Sequence, residues 1–129
     1  MSLRRKPTGI KRIYLAGGHS LRAFKWLIIN EAAFKQECWL SVALVACSLF
    51  FPFSLLEYVL LWCALLVVLL AEIINTAIEA VVDRISLEIH PLSGLAKDLG
   101  SLAVMVSVII AILIWGSVFI NLVCFTCVT

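Results

Sequence analysis

The chain has 129 residues, of which 64% are hydrophobic and 14% charged, and its mean hydropathy is +1.13. Soluble domains carry about 45–50% apolar and about 25% charged residues, and so short a chain has no core large enough to hide the excess. Lipid is therefore the expected solvent, and an ordinary water-soluble domain is excluded. The net charge of +2 is small. Its distribution is more telling, because eight of the ten Lys and Arg residues precede residue 36. Basic residues beside a first span stay on the cytoplasmic side and can meet anionic headgroups.

A single domain over 1–129 is expected, and the charged first 37 residues do not read as a secretory signal. In chain order, residues 20–37, SLRAFKWLIINEAAFKQE, are predicted to form an amphipathic helix on the inner membrane surface, with Ser20 as its N-cap. Phe24, Leu27 and Ile28 share an arc of that helix, and Glu31 falls in its middle. Residues 38–56 carry no charge; nineteen helical residues rise about 28 Å, which gives a first span. Pro52 and Ser54 suggest a turn on the far side. Residues 58–71 are again uncharged, and continuation through Glu72 and Glu79 gives a second span over 58–82.

Residues 83–98 read as a polar inside connection interrupted by Pro91 and Gly94. A third span follows over about 99–125, in a stretch without charged side chains. The predicted fold is an all-α membrane protein with three transmembrane helices plus the N-terminal surface helix. The N-terminus is placed in the cytoplasm and the C-terminus outside. Cys38, Cys47, Cys63, Cys124 and Cys127 lie in apolar segments and read as small hydrophobic residues.

The segment AEIINTAIEAVVDR carries the chemistry. Glu72, Thr76, Glu79 and Asp83 are four, three and four residues apart, which puts them within about 40° of one another on a helix, with Asn75 to one side. An ionisable group inside a span costs at least about 2.5–3.5 kcal/mol near the centre, and is functional by default. Asp83 also suits a solvated, interfacial helix end. Clustered carboxylates favour a bound cation. Oxygen donors suit Mg²⁺, which takes one or two carboxylates along with phosphate oxygens. A carboxylate further into the membrane is suited to accept a proton. The pattern fits a metal–phosphate site at the membrane edge beside a general base. On the inside connection, Lys97 suits a phosphate, and Asp98 a metal or a ribose. The phosphate-binding motif GxxxxGK[ST] and the protein-kinase signatures are absent.

The strings INEAAFKQE (29–37), EIINTAIEAVVDR (72–84) and LSGLAKDLGS (92–101) resemble the small integral-membrane diacylglycerol kinases of Gram-negative bacteria, in the same order and spacing. The resemblance covers nearly the whole chain. It implies transfer of the ATP γ-phosphate to the primary hydroxyl of diacylglycerol, giving phosphatidate, with Mg²⁺. It further implies a homotrimer in the inner membrane, with active sites between protomers and no nucleic-acid partner. By position, Glu72 resembles the general base. Glu31 and Glu79 resemble the carboxylates that hold the metal bound to ATP. Arg12, His19, Asn75, Glu88, His90, Lys97 and Asp98 fall at or beside nucleotide-contacting positions. Ala33, Phe34, Lys35, Gln36, Glu37, Ser101 and Trp115 align with the lipid-facing part of the site.

Some positions depart from the family pattern. His19 replaces a tyrosine, Lys25 and Lys35 replace arginines, and Pro91 and Leu95 replace polar residues. The lysines keep the charge but lose the bidentate fork. Two alternatives accompany this reading. One is an undecaprenol kinase, which differs in the lipid acceptor. The other is an oligomeric cation channel or carrier lined by the carboxylates.

Overall fold

The computed structural model describes residues 8–85 and 90–128, with side chains described through Cys124. The described residues form four helices and no strand: α1 (Ile10–Asn30), α2 (Ala32–Ser48), α3 (Leu55–Ile85) and α4 (Pro91–Val128). The chain divides into two compact units, the first ending at Gln36 and the second starting at Glu37.

In the first unit, helix begins ten residues before the predicted Ser20 cap. Gly9, with φ of 64°, precedes it, and the Arg12 amide donates to the Gly9 carbonyl at 3.0 Å. Ser20 lies mid-helix, where its hydroxyl donates to the Ala16 carbonyl at 3.1 Å. Residues 10–19 contain no proline, and Gly17–Gly18 weaken a helix without ending it. The predicted helix over 20–37 is also interrupted. Glu31 is extended (φ −106°, ψ 109°), so it ends α1, and its carbonyl accepts the Lys35 amide at 3.2 Å to start α2. Next to the break, the Asn30 side-chain amide donates to the Trp26 carbonyl at 2.8 Å, a local bond that competes with the helical ladder.

In the second unit, α2 ends at Ser48, so the apolar run over 38–56 is helical only in part. Pro52 has no amide hydrogen and disfavours helix at the residue before it. The chain turns instead through short-range bonds, such as the Phe51 amide to the Ser48 carbonyl at 3.2 Å. Ser54 then caps α3. The Ser54 amide and hydroxyl each donate to Glu57 Oε2 at 2.7 Å, which is a capping box. Phe51, Phe53, Tyr58 and Phe119 stack edge to face around this turn, and the Tyr58 hydroxyl donates to the Phe51 carbonyl at 2.8 Å.

The helix does continue past Glu72 and Glu79, because α3 runs unbroken to Ile85. It packs antiparallel against α4. Leu61 is 0% exposed between Phe53 and Val118, and Ala64, Val68 and Ala111 form the next layer. Trp115 Nε1 donates to the Leu61 carbonyl at 3.2 Å and fixes the register of the pair. Leu55–Ile85 and Pro91–Cys124 are long and apolar enough to cross a membrane. Leu66, Leu70, Ile112 and Leu113 point outward along them.

The polar connection of 83–98 is shorter than predicted. Pro91 opens α4 rather than interrupting a helix, because at a first helical position its missing amide costs nothing. His90 caps this end: its Nδ1 accepts the Leu92 amide at 3.2 Å, and its carbonyl accepts the Ser93 amide at 3.0 Å. Lys97, Asp98 and Ser101 are consequently on a helix and not on a loop.

Replacing Leu61 with alanine should lower unfolding stability by about 2 kcal/mol, the low end for a buried leucine because lipid in place of water reduces the transfer part. Leu66→Ala, on an exposed position, should change it little. Thermal unfolding of both variants in detergent micelles measures the difference.

Candidate functional site

The stripe on α3 is real and deep. Glu72, Asn75 and Thr76 are buried, with Glu72 7% exposed and Asn75 9%, while Glu79 is half-buried and Asp83 exposed. Four-, three- and four-residue spacing on one continuous helix explains this alignment. Asn75 Nδ2 donates to Glu79 Oε1 at 3.1 Å. Since a carboxylate only accepts, this bond orients the amide with its nitrogen toward Glu79.

Asp83 does more than decorate a helix end. Its Oδ1 pairs with Lys97 Nζ at 2.6 Å, bridging the last turns of α3 and the first turns of α4. Lys97 also lies in the field of Glu79. The helix pairing therefore brings Glu79, Asp83 and Lys97 to one level of the α3–α4 pair. The sequence stripe contains Asp83 but not its partner. That partner is placed by the start of α4 at Pro91, which the Pro91–Gly94 pattern obscured.

Glu37 belongs to the same unit. It lines an apolar cleft of about 370 Å³ together with Leu40, Leu44, Leu65, Val68 and Trp115. Two of the predicted lipid-side residues, Glu37 and Trp115, thus share one cavity. Its walls suit an acyl chain, with a single carboxyl at the edge. Glu37 Oε2 is buried there without a hydrogen-bond partner among the described residues.

The remaining predicted residues are distributed as follows. In the second unit, His90 caps α4, and Asp98 and Ser101 are exposed on its first turns. In the first unit, Arg12 and His19 are seven residues apart on α1 and so share one exposed face. His19 Nδ1 accepts from Arg22 Nη2 at 2.6 Å. Glu31 is half-buried at the break, Phe34 is buried and edge-on to Phe24, and Ala33, Lys35 and Gln36 are exposed. Glu88 lies outside the described residues.

Among the described residues, no group of three His, Cys, Asp or Glu side chains is arranged to hold a metal. A Mg²⁺ carried by a nucleotide needs no such cage, because phosphate oxygens complete its shell. Glu79, a hard oxygen donor braced by Asn75, fits that chemistry.

A family model described as prokaryotic diacylglycerol kinase matches residues 18–119. The chain belongs to this family. Among similar proteins is a diacylglycerol kinase from Escherichia coli (strain K12), 44% identical over 84% of this chain and 88% of its own length. Those of Pseudomonas aeruginosa and Haemophilus influenzae are 42% and 37% identical over 86% and 88% of this chain, and 90% and 96% of their own lengths. The family match takes in the Glu31 break, the whole of α3 and the cleft residue Trp115. Arg12 precedes it.

Proposed function

We propose that the chain is an ATP-dependent diacylglycerol kinase acting at the inner face of a bacterial inner membrane. The observation that carries this reading is Glu72: a buried carboxylate on an apolar helix, one to two turns from the Asn75–Glu79 pair, in a chain of this family. Relatives named diacylglycerol kinase at 37–44% identity support the acceptor.

In the proposed reaction, Glu72 takes the proton of the primary hydroxyl of diacylglycerol as that oxygen attacks the γ-phosphorus. The bond from the γ-phosphorus to the bridging oxygen breaks, ADP leaves, and phosphatidate forms. Bound Mg²⁺ would neutralise charge on the β- and γ-phosphates. Glu79, held by Asn75, and Glu31 are the carboxylates offered to it. Lys97, steered by Asp83, faces the transferring phosphoryl charge. This is positioning and electrostatic work, which dominates such transfers. Arg12, His19, His90 and Asp98 serve the nucleotide, and the apolar cleft beside Glu37 and Trp115 takes an acyl chain.

Three spans and a homotrimer complete the proposal. α2, at 17 residues, rises about 25 Å and serves as the first span, slightly short of the hydrocarbon thickness. The excess of Lys and Arg before residue 36 supports a cytoplasmic N-terminus, and three spans then give a periplasmic C-terminus. Trimer formation supplies walls that one small protomer lacks.

Glu72→Gln should lower kcat about a hundredfold or more while assembly and nucleotide binding persist. A near-wild-type rate would remove Glu72 from the base role. Glu79→Gln should raise the Mg²⁺ concentration needed for half-maximal turnover. Offering diacylglycerol and undecaprenol separately with labelled ATP decides the acceptor, and label should appear in phosphatidate. Ion flux into liposomes without ATP, and no labelled lipid, would favour the channel alternative instead.

A further inference from the structure

Gly100 is buried in α4 where that helix meets the stripe of α3. A Cβ built there would meet Asn75 and nothing nearer. It would overlap the side-chain Oδ1 and lie 3.3 Å from Cγ, while the Asn75 Cα, at 3.6 Å, is at ordinary contact distance. The amide, not the backbone, is what a methyl group at residue 100 would displace. That amide is 9% exposed as a residue, its Oδ1 has no hydrogen-bond partner among the described residues, and its Nδ2 donates to Glu79 Oε1 at 3.1 Å.

We propose that Gly100 is a positioning residue: by leaving a Cβ off α4 at this level, it holds the Asn75 amide in the one orientation that braces Glu79. The close approach leaves the amide no room to swing toward α4. With Nδ2 fixed on Oε1, the Glu79 carboxylate is held in place before a cation arrives. A larger residue at 100 turns the amide away and lets Glu79 move. This role rests on the reading of Glu79 as a carboxylate that holds nucleotide-bound metal.

The test measures binding rather than turnover. Full-length protein in detergent micelles is titrated with Mn²⁺ in the presence of the non-hydrolysable analogue AMP-PNP, and bound Mn²⁺ is read by electron paramagnetic resonance. Gly100→Ala should weaken Mn²⁺ binding by about 10- to 100-fold, as loss of an outer-shell support does. Gly116→Ala, on the same helix and with nothing within 4 Å of its added Cβ, should leave it unchanged. Glu79→Gln and Asn75→Ala should each weaken it. Adding Gly100→Ala to Asn75→Ala should produce no further loss, because the amide through which Gly100 acts is already gone.

Unchanged binding in Gly100→Ala, or a loss that adds fully to that of Asn75→Ala, overturns the proposal. Unchanged binding in Glu79→Gln overturns the metal-ligand reading instead, so the two failures are told apart. Should Gly100→Ala alone fail to assemble, the double variant with Asn75→Ala must assemble, since the shorter side chain makes room. If it fails as well, the amide is not what the methyl group meets, and the proposal falls.

Discussion

Helix α3 works under one constraint: in hydrocarbon its backbone must be satisfied within itself, and its polar side chains must find one another or a partner helix. The first demand forbids a break, and α3 has none from Leu55 to Ile85. The second puts Glu72, Asn75, Thr76, Glu79 and Asp83 along one side. From there, the rest of the second unit follows. α4 supplies Gly100 where the stripe is buried, and Lys97 where it emerges. Trp115, donating to the Leu61 carbonyl, sets the register that makes these meetings occur.

The chemistry divides along the same axis. Deep in the pair, burial withholds water from Glu72, and one turn before it Val68 lines the apolar cleft shared by Glu37 and Trp115. At the exposed end, Asp83 and Lys97 make an ion pair that neither helix could make alone. Such an exposed pair adds little to stability. Its use is directional, since it holds a flexible lysine near Glu79. A gradient from dry carboxylate to wet cation within one helix pair suits a reaction that joins a lipid hydroxyl to a water-borne phosphate.

What was legible in the sequence was periodic. The 4-3-4 spacing identified the stripe, and the absence of charge identified the apolar runs. What was not legible depended on competition between local signals. Ser20 resembles an N-cap, yet residues 10–19 are good enough helix formers to run past it, so the hydroxyl turns back to Ala16. The break moved to Glu31, where no proline or glycine marks it. Pro91 reads as an interruption because proline both breaks and opens helices; with the His90 side chain as cap, the same residue starts the helix. The Lys97–Asp83 pair and the Gly100–Asn75 contact join α4 to α3 across the chain, and no spacing within one segment encodes them.

The stripe on α3 also has a genetic consequence. Asp83 lies eleven positions after Glu72, and each residue is turned by about 100° from the last. One residue inserted or deleted between Glu72 and Glu79 would swing everything beyond it by that angle, turning Glu79 and Asp83 off the side that Glu72 occupies. Between Leu49 and Ser54, where the chain only turns, a length change would leave that alignment intact. Homologues of this chain should therefore vary in length at the turn between α2 and α3 and hold a fixed count from Glu72 to Asp83.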